Sequence, residues 1–326
     1  MRPVRRGLLA AGVAILVGGA AVVVASTAPE DARTDRWTTL TPAPLERTEV
    51  AAARIGRFIY VVGGFARGSG RRSTGAVERY DIRRNRWRRV RSMPLTLDHA
   101  TAATYRGRVY VHGGYTAGLS QPTGALLEYD PTRNRWRRLQ PSPTPRAAHA
   151  LAVIGDRLYA AGGANDSGSL SSLEIYDFRR RRWLRGPSFP GPPRNHTTGV
   201  ASGGRFYVLA GRDATNYTVA ERYDPRRRTW ERLPDLRTPR GGIASARLRD
   251  GRIVVFGGEN LTPGGVTIRE VELLDPRRPR WERLPDMRTP RHGLAGVAMR
   301  NRVYAIEGGV QPGLSFSSAI EALDVR

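Results

Sequence analysis

Hydrophobic and polar positions along this chain alternate in short runs rather than in long helical stretches. In one representative segment, apolar or alternating runs occupy residues 100–105, Arg108–His112, Leu126–Asp130 and 136–139. Glycine, proline and aspartate separate these runs, which is typical of short β-strands joined by turns. The pattern therefore predicts an all-β fold built from units of four strands, labelled a, b, c and d in chain order.

The same unit recurs along the chain at a nearly constant interval. Tryptophan occurs six times, 47 to 51 residues apart, at Trp37, Trp87, Trp136, Trp183, Trp230 and Trp281. A pair of small residues, here called the diglycine, follows the predicted strand b of each unit; its second members are Gly64, Gly114, Gly163, Gly211, Gly258 and Gly309. An aromatic–Asp pair precedes the tryptophan in four units, and Leu–Asp replaces it in the last two.

These motifs resemble the kelch repeat, and the resemblance covers residues 36–326. It implies a six-bladed kelch β-propeller in which each repeat forms one blade. The diglycine allows the backbone to turn after strand b. Tyrosine and tryptophan pack one blade against the next, and aspartate forms the tight turn between strands c and d.

Five units place a glutamate on strand c, two residues before the aromatic or leucine position and therefore on the same face of the strand. These residues are Glu78, Glu174, Glu221, Glu272 and Glu321. Because a buried glutamate needs a partner, we expect each to pair with the arginine that recurs in the loop from strand d to the next strand a.

The two ends of the chain predict how the propeller closes. The sixth unit stops at Leu323–Asp324, where a strand c ends, and it lacks a tryptophan of its own. Trp37 stands at the other end without a preceding unit. We therefore predict that residues 36–41 supply strand d of the last blade, which leaves no open sheet edge.

Length variation among the units is concentrated in the b–c loops. The distance from the second glycine to the aromatic position ranges from 12 to 16 residues. Loops that are free to vary in length often carry function, and in a propeller the b–c and d–a loops share one face, the top face. The b–c loops span residues 65–75, 115–124, 164–170, 212–217, 259–267 and 310–316. Our candidate ligand-binding residues are Arg47, Arg146, Arg194, Arg240, Arg291, Tyr115, Arg212 and Glu259.

Four of the five histidines also recur where the d–a loop leads into strand a: His99, His149, His196 and His292. A ring of imidazoles at a channel mouth would suit metal binding or proton transfer. The resemblance to kelch repeats implies a structural role instead, because those repeats commonly have an Arg-x-x-His-like segment here that caps the strand, and we favour that role. We therefore predict no metal site and no cofactor.

The formal net charge is +25, and all 54 basic residues are arginine. The simplest explanation is a GC-rich coding sequence, in which arginine replaces surface lysine throughout. The alternative is attraction to an anionic partner such as lipid headgroups, wall polymers or acidic glycans. The excess is concentrated in the c–d turns of the opposite, bottom face. We do not expect nucleic acid as a partner if the domain is exported.

An apolar segment precedes the repeats. Arg2, Arg5 and Arg6 come before an uncharged stretch over residues 7–26, which is the layout of an export signal. Residues 1–26 are predicted to be either a signal peptide cleaved after Ala25 or one uncleaved transmembrane helix, followed by a linker over residues 27–35. Either way the propeller is exported, anchored on the outer face of the cytoplasmic membrane or secreted. If it is anchored, the arginine-rich bottom face would meet anionic lipid.

The sequence leaves two functions open. The chain has no cysteine, which excludes disulfides, thiolate metal sites and the Tyr–Cys crosslink of the copper radical oxidases among kelch propellers. We expect a monomeric, non-enzymatic binding or scaffold module that recognises a glycan, a wall polymer or a protein on the top face. The alternative is a mutarotase of the sialic-acid type, in which Glu259 would act as acid–base and Arg212 would hold the carboxylate of an acidic sugar.

Overall fold

The computed structural model describes residues 36–70, 72–262 and 264–326, which form six four-stranded antiparallel sheets. The innermost strand of each sheet contacts the innermost strand of the next, and the last contacts the first. The sheets are therefore blades around a central channel, and the predicted six-bladed all-β propeller is confirmed. The predicted N-terminal helix and linker lie outside the described residues. Within the described ranges no helix is present, so none is long and apolar enough to cross a membrane.

The strands are short, and most have about five residues. Blades 1 and 2 and the segment before them contain β1 (Thr38–Thr39), β2 (Arg47–Thr48), β3 (Ala51–Ile55), β4 (Phe58–Val62), β5 (Phe65–Ala66), β6 (Val77–Asp81), β7 (Arg86–Arg89), β8 (Thr101–Tyr105), β9 (Arg108–His112), β10 (Leu126–Asp130) and β11 (Arg135–Leu139). Blades 3 and 4 contain β12 (Ala150–Ile154), β13 (Arg157–Ala161), β14 (Ala164–Asn165), β15 (Gly168–Ser169), β16 (Leu173–Asp177), β17 (Arg182–Gly186), β18 (Thr198–Ser202), β19 (Arg205–Arg212), β20 (Asn216–Asp224) and β21 (Thr229–Leu233). Blades 5 and 6 contain β22 (Ala244–Arg247), β23 (Ile253–Phe256), β24 (Glu259–Asn260), β25 (Val266–Thr267), β26 (Val271–Asp275), β27 (Arg278–Leu284), β28 (Ala295–Met299), β29 (Arg302–Ile306) and β30 (Ile320–Asp324).

The last blade is completed by the N-terminal strand, as predicted. Strand β1 pairs antiparallel with β30, so that Thr38 lies opposite Ala322 and Thr39 opposite Glu321. The order of this sheet is β1-β30-β29-β28. The first and last described strands therefore share one sheet, which closes the ring of blades.

The tryptophans connect each blade to its neighbour. In all six cases the indole N–H donates a hydrogen bond to a backbone carbonyl just after strand d of the preceding blade, at 2.7–2.9 Å. Trp37 follows the same rule, because it donates to the carbonyl of Pro285 at 2.9 Å. A buried indole N–H needs such an acceptor. Trp37, which precedes the first complete repeat in the sequence, thus belongs to the last blade.

The strand-c glutamates pair with the loop arginines, as we expected from the sequence. The arginine nitrogens lie 2.7–3.1 Å from the glutamate oxygens in the pairs Arg47–Glu78, Arg146–Glu174, Arg194–Glu221, Arg240–Glu272 and Arg291–Glu321. Blade 2 departs from this rule because Leu97 occupies the arginine position and Leu127 occupies the glutamate position. The next residue, Glu128, lies on the other face of the strand, where it contacts Arg137 at 2.9 Å and accepts a hydrogen bond from Tyr110.

The position of the diglycine predicted for the sixth blade is wrong by one residue: the second member of the pair is Gly308, not Gly309. In the other blades the N–H of the second glycine donates to the backbone carbonyl of the arginine position in the next d–a loop, as in Gly258 to Arg291. In blade 6, Gly308 makes this bond, to Arg47 at 2.9 Å. The pair is therefore Glu307–Gly308, and Gly309 is the residue that follows it. In the sequence Glu-Gly-Gly the two adjacent glycines resemble the motif, although its first position is held by Glu307.

Backbone crowding explains why the second position of the pair is glycine. Gly64 and Gly258 have φ angles of +86° and +111°, which side-chain-bearing residues rarely adopt. A Cβ atom at Gly64 would lie 2.4 Å from the carbonyl oxygen of Thr48. The turn thus brings the backbone of one blade directly against the d–a loop that leads into strand a, at the top of the channel.

Candidate functional site

Six equivalent residues form a ring where the d–a loops enter the central channel. Each lies two residues after the arginine position and has a φ angle between +47° and +66°. This left-handed conformation is uncommon for residues other than glycine. The six residues, one from each blade in order, are Glu49, His99, Ala148, His196, Gly242 and Gly293.

Backbone hydrogen bonds link most of this ring around the channel. His99 N–H donates to the carbonyl of Glu49, Ala148 to that of His99, Gly242 to that of His196, and Gly293 to that of Gly242, at 2.8–3.2 Å. These bonds satisfy polar backbone groups that would otherwise be buried without partners. They also hold the Cα atoms close together, so the side chains of the ring share a small volume.

Three side chains of the ring meet inside this volume. His99 Nε2 lies 3.1 Å from His196 Nε2 and 3.1 Å from Glu49 Oε2. The three ligand atoms all lie within 4.8 Å of one another. We call Glu49, His99 and His196 the channel triad. Its members come from blades 1, 2 and 4, and the sequence did not predict that they converge.

Neighbouring polar groups orient both imidazoles of the triad. His99 Nδ1 lies 2.6 Å from Asp98 Oδ1, and His196 Nδ1 contacts the side-chain oxygen of Asn195. Asn195 in turn donates to Ser169 Oγ at 2.7 Å. Each histidine is thus held through Nδ1 by the residue before it, and its Nε2 faces the channel.

Electrostatics differ among the members of the triad. Burial by itself would raise the pKa of Glu49, but the charges of His99 and His292 bring it well below its usual range. Burial by itself would lower the pKa of His99, but Glu49 and Asp98 raise it. Burial, together with Arg212 and His99, lowers the pKa of His196 well below its ordinary value. These shifts favour a charged carboxylate at Glu49, a positively charged imidazole at His99 and a neutral imidazole at His196.

Glu259 and Arg212 lie beside the triad and connect three b–c loops. Arg212 Nη1 donates to Glu259 Oε1 at 2.7 Å, and Gly313 N–H donates to Glu259 Oε2 at 2.8 Å. Asn216 also donates to the backbone carbonyl of Glu259. Glu259 is only 1% exposed. Both of its carboxylate oxygens therefore bind residues of blades 4 and 6, and these contacts fix the relative positions of the loops.

The other predicted site residues differ in accessibility. The five loop arginines of the candidate list are all 0% exposed. A fully buried guanidinium in an ion pair offers no donor to a ligand, so we assign Arg47, Arg146, Arg194, Arg240 and Arg291 to the framework of the top face. Tyr115 is half-buried, and its ring packs edge-on against His99 with centroids 5.6 Å apart. Tyr115 therefore forms part of the wall around the triad.

The four recurrent histidines do not form a ring of equivalent positions. Relative to the arginine position, His292 is the next residue, His99 and His196 are the second, and His149 is the third. The spacing to Arg146, Arg194 and Arg291 shows this difference in the sequence, and only His99 needed the structure, because Leu97 occupies the arginine position in blade 2. His149 lies instead beside His112, with Nε2 2.9 Å from His112 Nδ1.

Burial lowers the pKa of His112 to about 3, and Arg146 adds to the effect. In the unfolded chain this histidine titrates near pH 6.5, so between about pH 6.5 and 3 the unfolded state binds the extra proton and stability falls as the pH falls. We expect this residue alone to reduce the free energy of unfolding by about 2 kcal/mol at pH 5.

The substitution His112→Leu tests this expectation, because blade 4 has Leu209 at the same position before its diglycine. Urea unfolding at pH 7.5 and pH 5 should show a smaller loss of stability for the variant than for the unchanged protein. An equal loss in both proteins would contradict the assignment.

The most exposed apolar side chains also lie on the top face. Among the described residues, large apolar side chains that are 37–58% exposed occur at Leu119, Leu261, Val266, Val310 and Leu314. All five belong to b–c loops. The loops of blades 5 and 6 are joined, since Thr267 Oγ1 donates to the backbone carbonyl of Val310 at 3.0 Å. Four of the five side chains therefore lie on two connected loops.

The bottom face has a different character. In its c–d turns, aspartates accept backbone hydrogen bonds two residues later, as Asp81 Oδ1 does from Arg83 N–H at 3.1 Å. This confirms the turn role predicted for aspartate. The arginines of these turns are mostly exposed, with 71% of the Arg84 side chain accessible, for example. Ion pairs at such positions contribute little to stability.

Comparison with known proteins agrees with this architecture. A family model described as the KLHDC2/KLHL20/DRC7 Kelch-repeats domain matches residues 14–188 and 143–309. No curated protein matches the chain. A solved structure entitled "Structure of YjhT" superimposes with a TM-score of 0.76 at 17% sequence identity, covering 88% of this chain and 97% of that chain. At this level of identity the similarity concerns the fold alone.

Proposed function

Because this chain belongs to the kelch-repeat family of β-propellers, we propose that it is a non-enzymatic binding module that holds a protein partner on its top face. The observation that best supports this proposal is the position of the exposed apolar side chains. All five of those found among the described residues lie in b–c loops, and none lies in the c–d turns. Clustered exposed apolar groups mark sites of protein association.

The rigidity of the loops supports this proposal. Glu259 holds the b–c loops of blades 4 and 6 through Arg212 and Gly313, and Thr267 holds the loop of blade 6 through Val310. A surface that is ordered before binding loses less conformational entropy when the partner binds. The apolar groups of blades 5 and 6 are therefore presented on a preformed platform.

Export of the propeller is part of the proposal and rests on the sequence pattern of residues 1–26. The partner would then be a protein outside the cytoplasmic membrane. Glycans and wall polymers are the alternative ligands. They suit the apolar loop residues less well, because sugars are usually recognised by polar and aromatic groups. Contact of the arginine-rich c–d turns with anionic lipid would leave the top face free.

The mutarotase alternative is not supported by an accessible acid–base group. A catalytic carboxylate must come within hydrogen-bond distance of the sugar. Glu259 is 1% exposed, and both of its oxygens already accept hydrogen bonds. Arg212 is engaged with Glu259 rather than directed at a free carboxylate site. Mutarotation therefore stays a prediction from the resemblance alone.

Site-specific crosslinking of the full chain in the cells that produce it would test the proposal. A photoreactive residue at Leu261 or Leu314 should capture a protein, whereas the same residue at Arg84 in a c–d turn should not. The dissociation constant of the captured protein should then rise at least about tenfold, or about 1.4 kcal/mol, in the double variant Leu261→Ser/Leu314→Ser.

Three results would contradict the proposal. One is capture from Arg84 only, and another is unchanged affinity of the captured protein for the double variant. The third is selective binding of a glycan or wall polymer that survives the double variant. The variant Arg84→Ser serves as the matched control, because it changes an exposed side chain on the opposite face.

A further inference from the structure

We propose that the channel triad, Glu49, His99 and His196, binds one divalent transition-metal ion at the top of the central channel. Two imidazole nitrogens and one carboxylate oxygen are a donor set that zinc and the neighbouring first-row ions accept. The inference goes beyond the proposed binding function, because the triad lies among buried groups of the channel and not among the exposed apolar loops.

The distances within the triad suit such an ion. Metal–nitrogen bonds of about 2.1 Å place two ligand atoms about 3.0 Å apart at a right angle and about 3.4 Å apart at the tetrahedral angle. The separations from His99 Nε2 to His196 Nε2 and to Glu49 Oε2 are both 3.1 Å. Both values lie between these two limits. The third separation, from His196 Nε2 to the Glu49 carboxylate, lies within 4.8 Å, whereas two atoms bound to one ion are at most about 4.2 Å apart. His99 can therefore share an ion with either partner as they stand, and a small side-chain shift would bring in the third ligand.

Hydrogen-bond accounting also indicates a cation between the three groups. Ser169 Oγ donates to Asp213 and accepts from Asn195 Nδ2, so the oxygen of Asn195 faces His196 and Nδ1 of that histidine is the donor. Asp98 accepts from His99 Nδ1 in the same way. When both histidines are neutral, both Nε2 atoms are then lone-pair acceptors that face each other and the Glu49 carboxylate. One positive charge between them satisfies this arrangement, either a proton on His99 Nε2 or a metal ion that takes the place of that proton.

The surrounding groups correspond to the outer shell of a metal site. Histidine ligands commonly donate their second ring nitrogen to a carboxylate or carbonyl oxygen, which orients the ring. Asp98 and Asn195 hold His99 and His196 in this way. The 1%-exposed His292 lies with Nδ1 3.3 Å from the other oxygen of Glu49. His292 therefore contacts the carboxylate that would bind the ion, through the oxygen that does not face His99.

The blades themselves supply a comparison for the triad positions. The same left-handed position carries Ala148, Gly242 and Gly293 in the other three blades. Small residues are therefore sufficient for the fold at this position. Larger side chains occur in this left-handed conformation only at Glu49, His99 and His196, which meet in the channel. Observed backbone strain of this kind is common at functional sites. It also makes alanine a well-matched substitution, since Ala148 already has a φ of +52°.

Metal titration of the full chain tests the proposal. The protein is purified without immobilised-metal affinity chromatography, and a chelator then removes any bound ion. Zn²⁺ binding is measured by titration calorimetry, and Co²⁺ binding by visible absorption. We expect one ion per chain. The variants His99→Ala, His196→Ala and Glu49→Gln should each weaken binding at least about 100-fold, and Asp98→Asn about 10- to 100-fold.

The matched control is His149→Ala, which removes a histidine from the same channel outside the triad. Blade 2 has Ala100 at the equivalent position, so the control has a precedent in the chain. We expect its affinity for Zn²⁺ to stay within about twofold of the unchanged protein, since it removes no ligand. Far-UV circular dichroism of each variant checks whether the propeller is intact.

The proposal is overturned if the unchanged protein binds less than about 0.1 equivalent of either ion, which would leave a shared proton between the three groups. It is also overturned if His99→Ala and His196→Ala bind as tightly as the unchanged protein, because the ion would then be held elsewhere. Retention of Zn²⁺ affinity by the Leu261→Ser/Leu314→Ser variant is expected, so failure of the partner proposal and failure of the metal proposal can be told apart.

Discussion

Replacing Arg194 with leucine is expected to lower the free energy of unfolding by about 3–5 kcal/mol. Arg194 and Glu221 are both 0% exposed, and Arg194 Nη2 lies 2.8 Å from Glu221 Oε2. The arginine also donates to the backbone carbonyl of Ala210 at 2.9 Å. Without it, a buried carboxylate loses its counter-charge and a buried carbonyl loses its donor. Leucine is the natural choice because Leu97 occupies the same position in blade 2.

Chemical denaturation of the single and double variants measures this effect. Adding Glu221→Gln to Arg194→Leu should recover much of the lost stability, because glutamine removes the uncompensated charge and keeps an oxygen for the N–H of Gly191. Arg232→Leu is the surface control, since its partner Asp235 is exposed and the pair contributes little. A loss below about 1 kcal/mol for Arg194→Leu would show that the buried pairs do not support the blades.

Replacing Trp37 with alanine is expected to destabilise the propeller by about 3–5 kcal/mol. The side chain is 3% exposed and packs edge-on against Phe256 with ring centroids 5.9 Å apart. Its indole N–H donates to the carbonyl of Pro285. Trp37 directly precedes β1, so its removal would leave a cavity at the junction that closes the ring. The loss should appear as a lower midpoint in urea.

Two comparisons separate ring closure from simple loss of an aromatic residue. Trp37→Phe keeps most of the packing and loses only the hydrogen bond, so it should lower the free energy of unfolding by about 1 kcal/mol. Trp281→Ala removes an equivalent tryptophan that is 4% exposed, and therefore as buried as Trp37, from a blade that does not contain the N-terminal strand, so it should cost less than Trp37→Ala. Equal losses for Trp37→Ala and Trp281→Ala would contradict a special role for the closing strand.

The framework of the fold was readable from the sequence because each blade repeats it. Trp37 without a unit of its own predicted the closing strand, and the recurrent loop arginines predicted partners for the strand-c glutamates. Such features recur every 47 to 51 residues, so comparison of the units reveals them. The error at Gly309 arose where one unit departs from the others, because Glu307 takes the place of the first glycine.

The candidate site could not be read in the same way. Arg47, Arg146, Arg194, Arg240 and Arg291 look like ligand-binding residues in a sequence, since arginine is usually exposed. Their burial depends on the glutamate that each meets across the blade. Glu259 looked like an acid–base group, but its contacts with Arg212 and Gly313 come from loops about 50 residues away on either side.

The sequence by itself determined the number of blades, the place where the ring closes and the residues that pack neighbouring blades. These properties depend on local strand patterns and on motifs that every unit repeats. Only the tertiary structure decided that Glu49, His99 and His196 meet in the channel and that the exposed apolar groups of blades 5 and 6 share one platform. Each of these residues occurs at a position where the units differ, and only closure of the ring brings residues from different blades together.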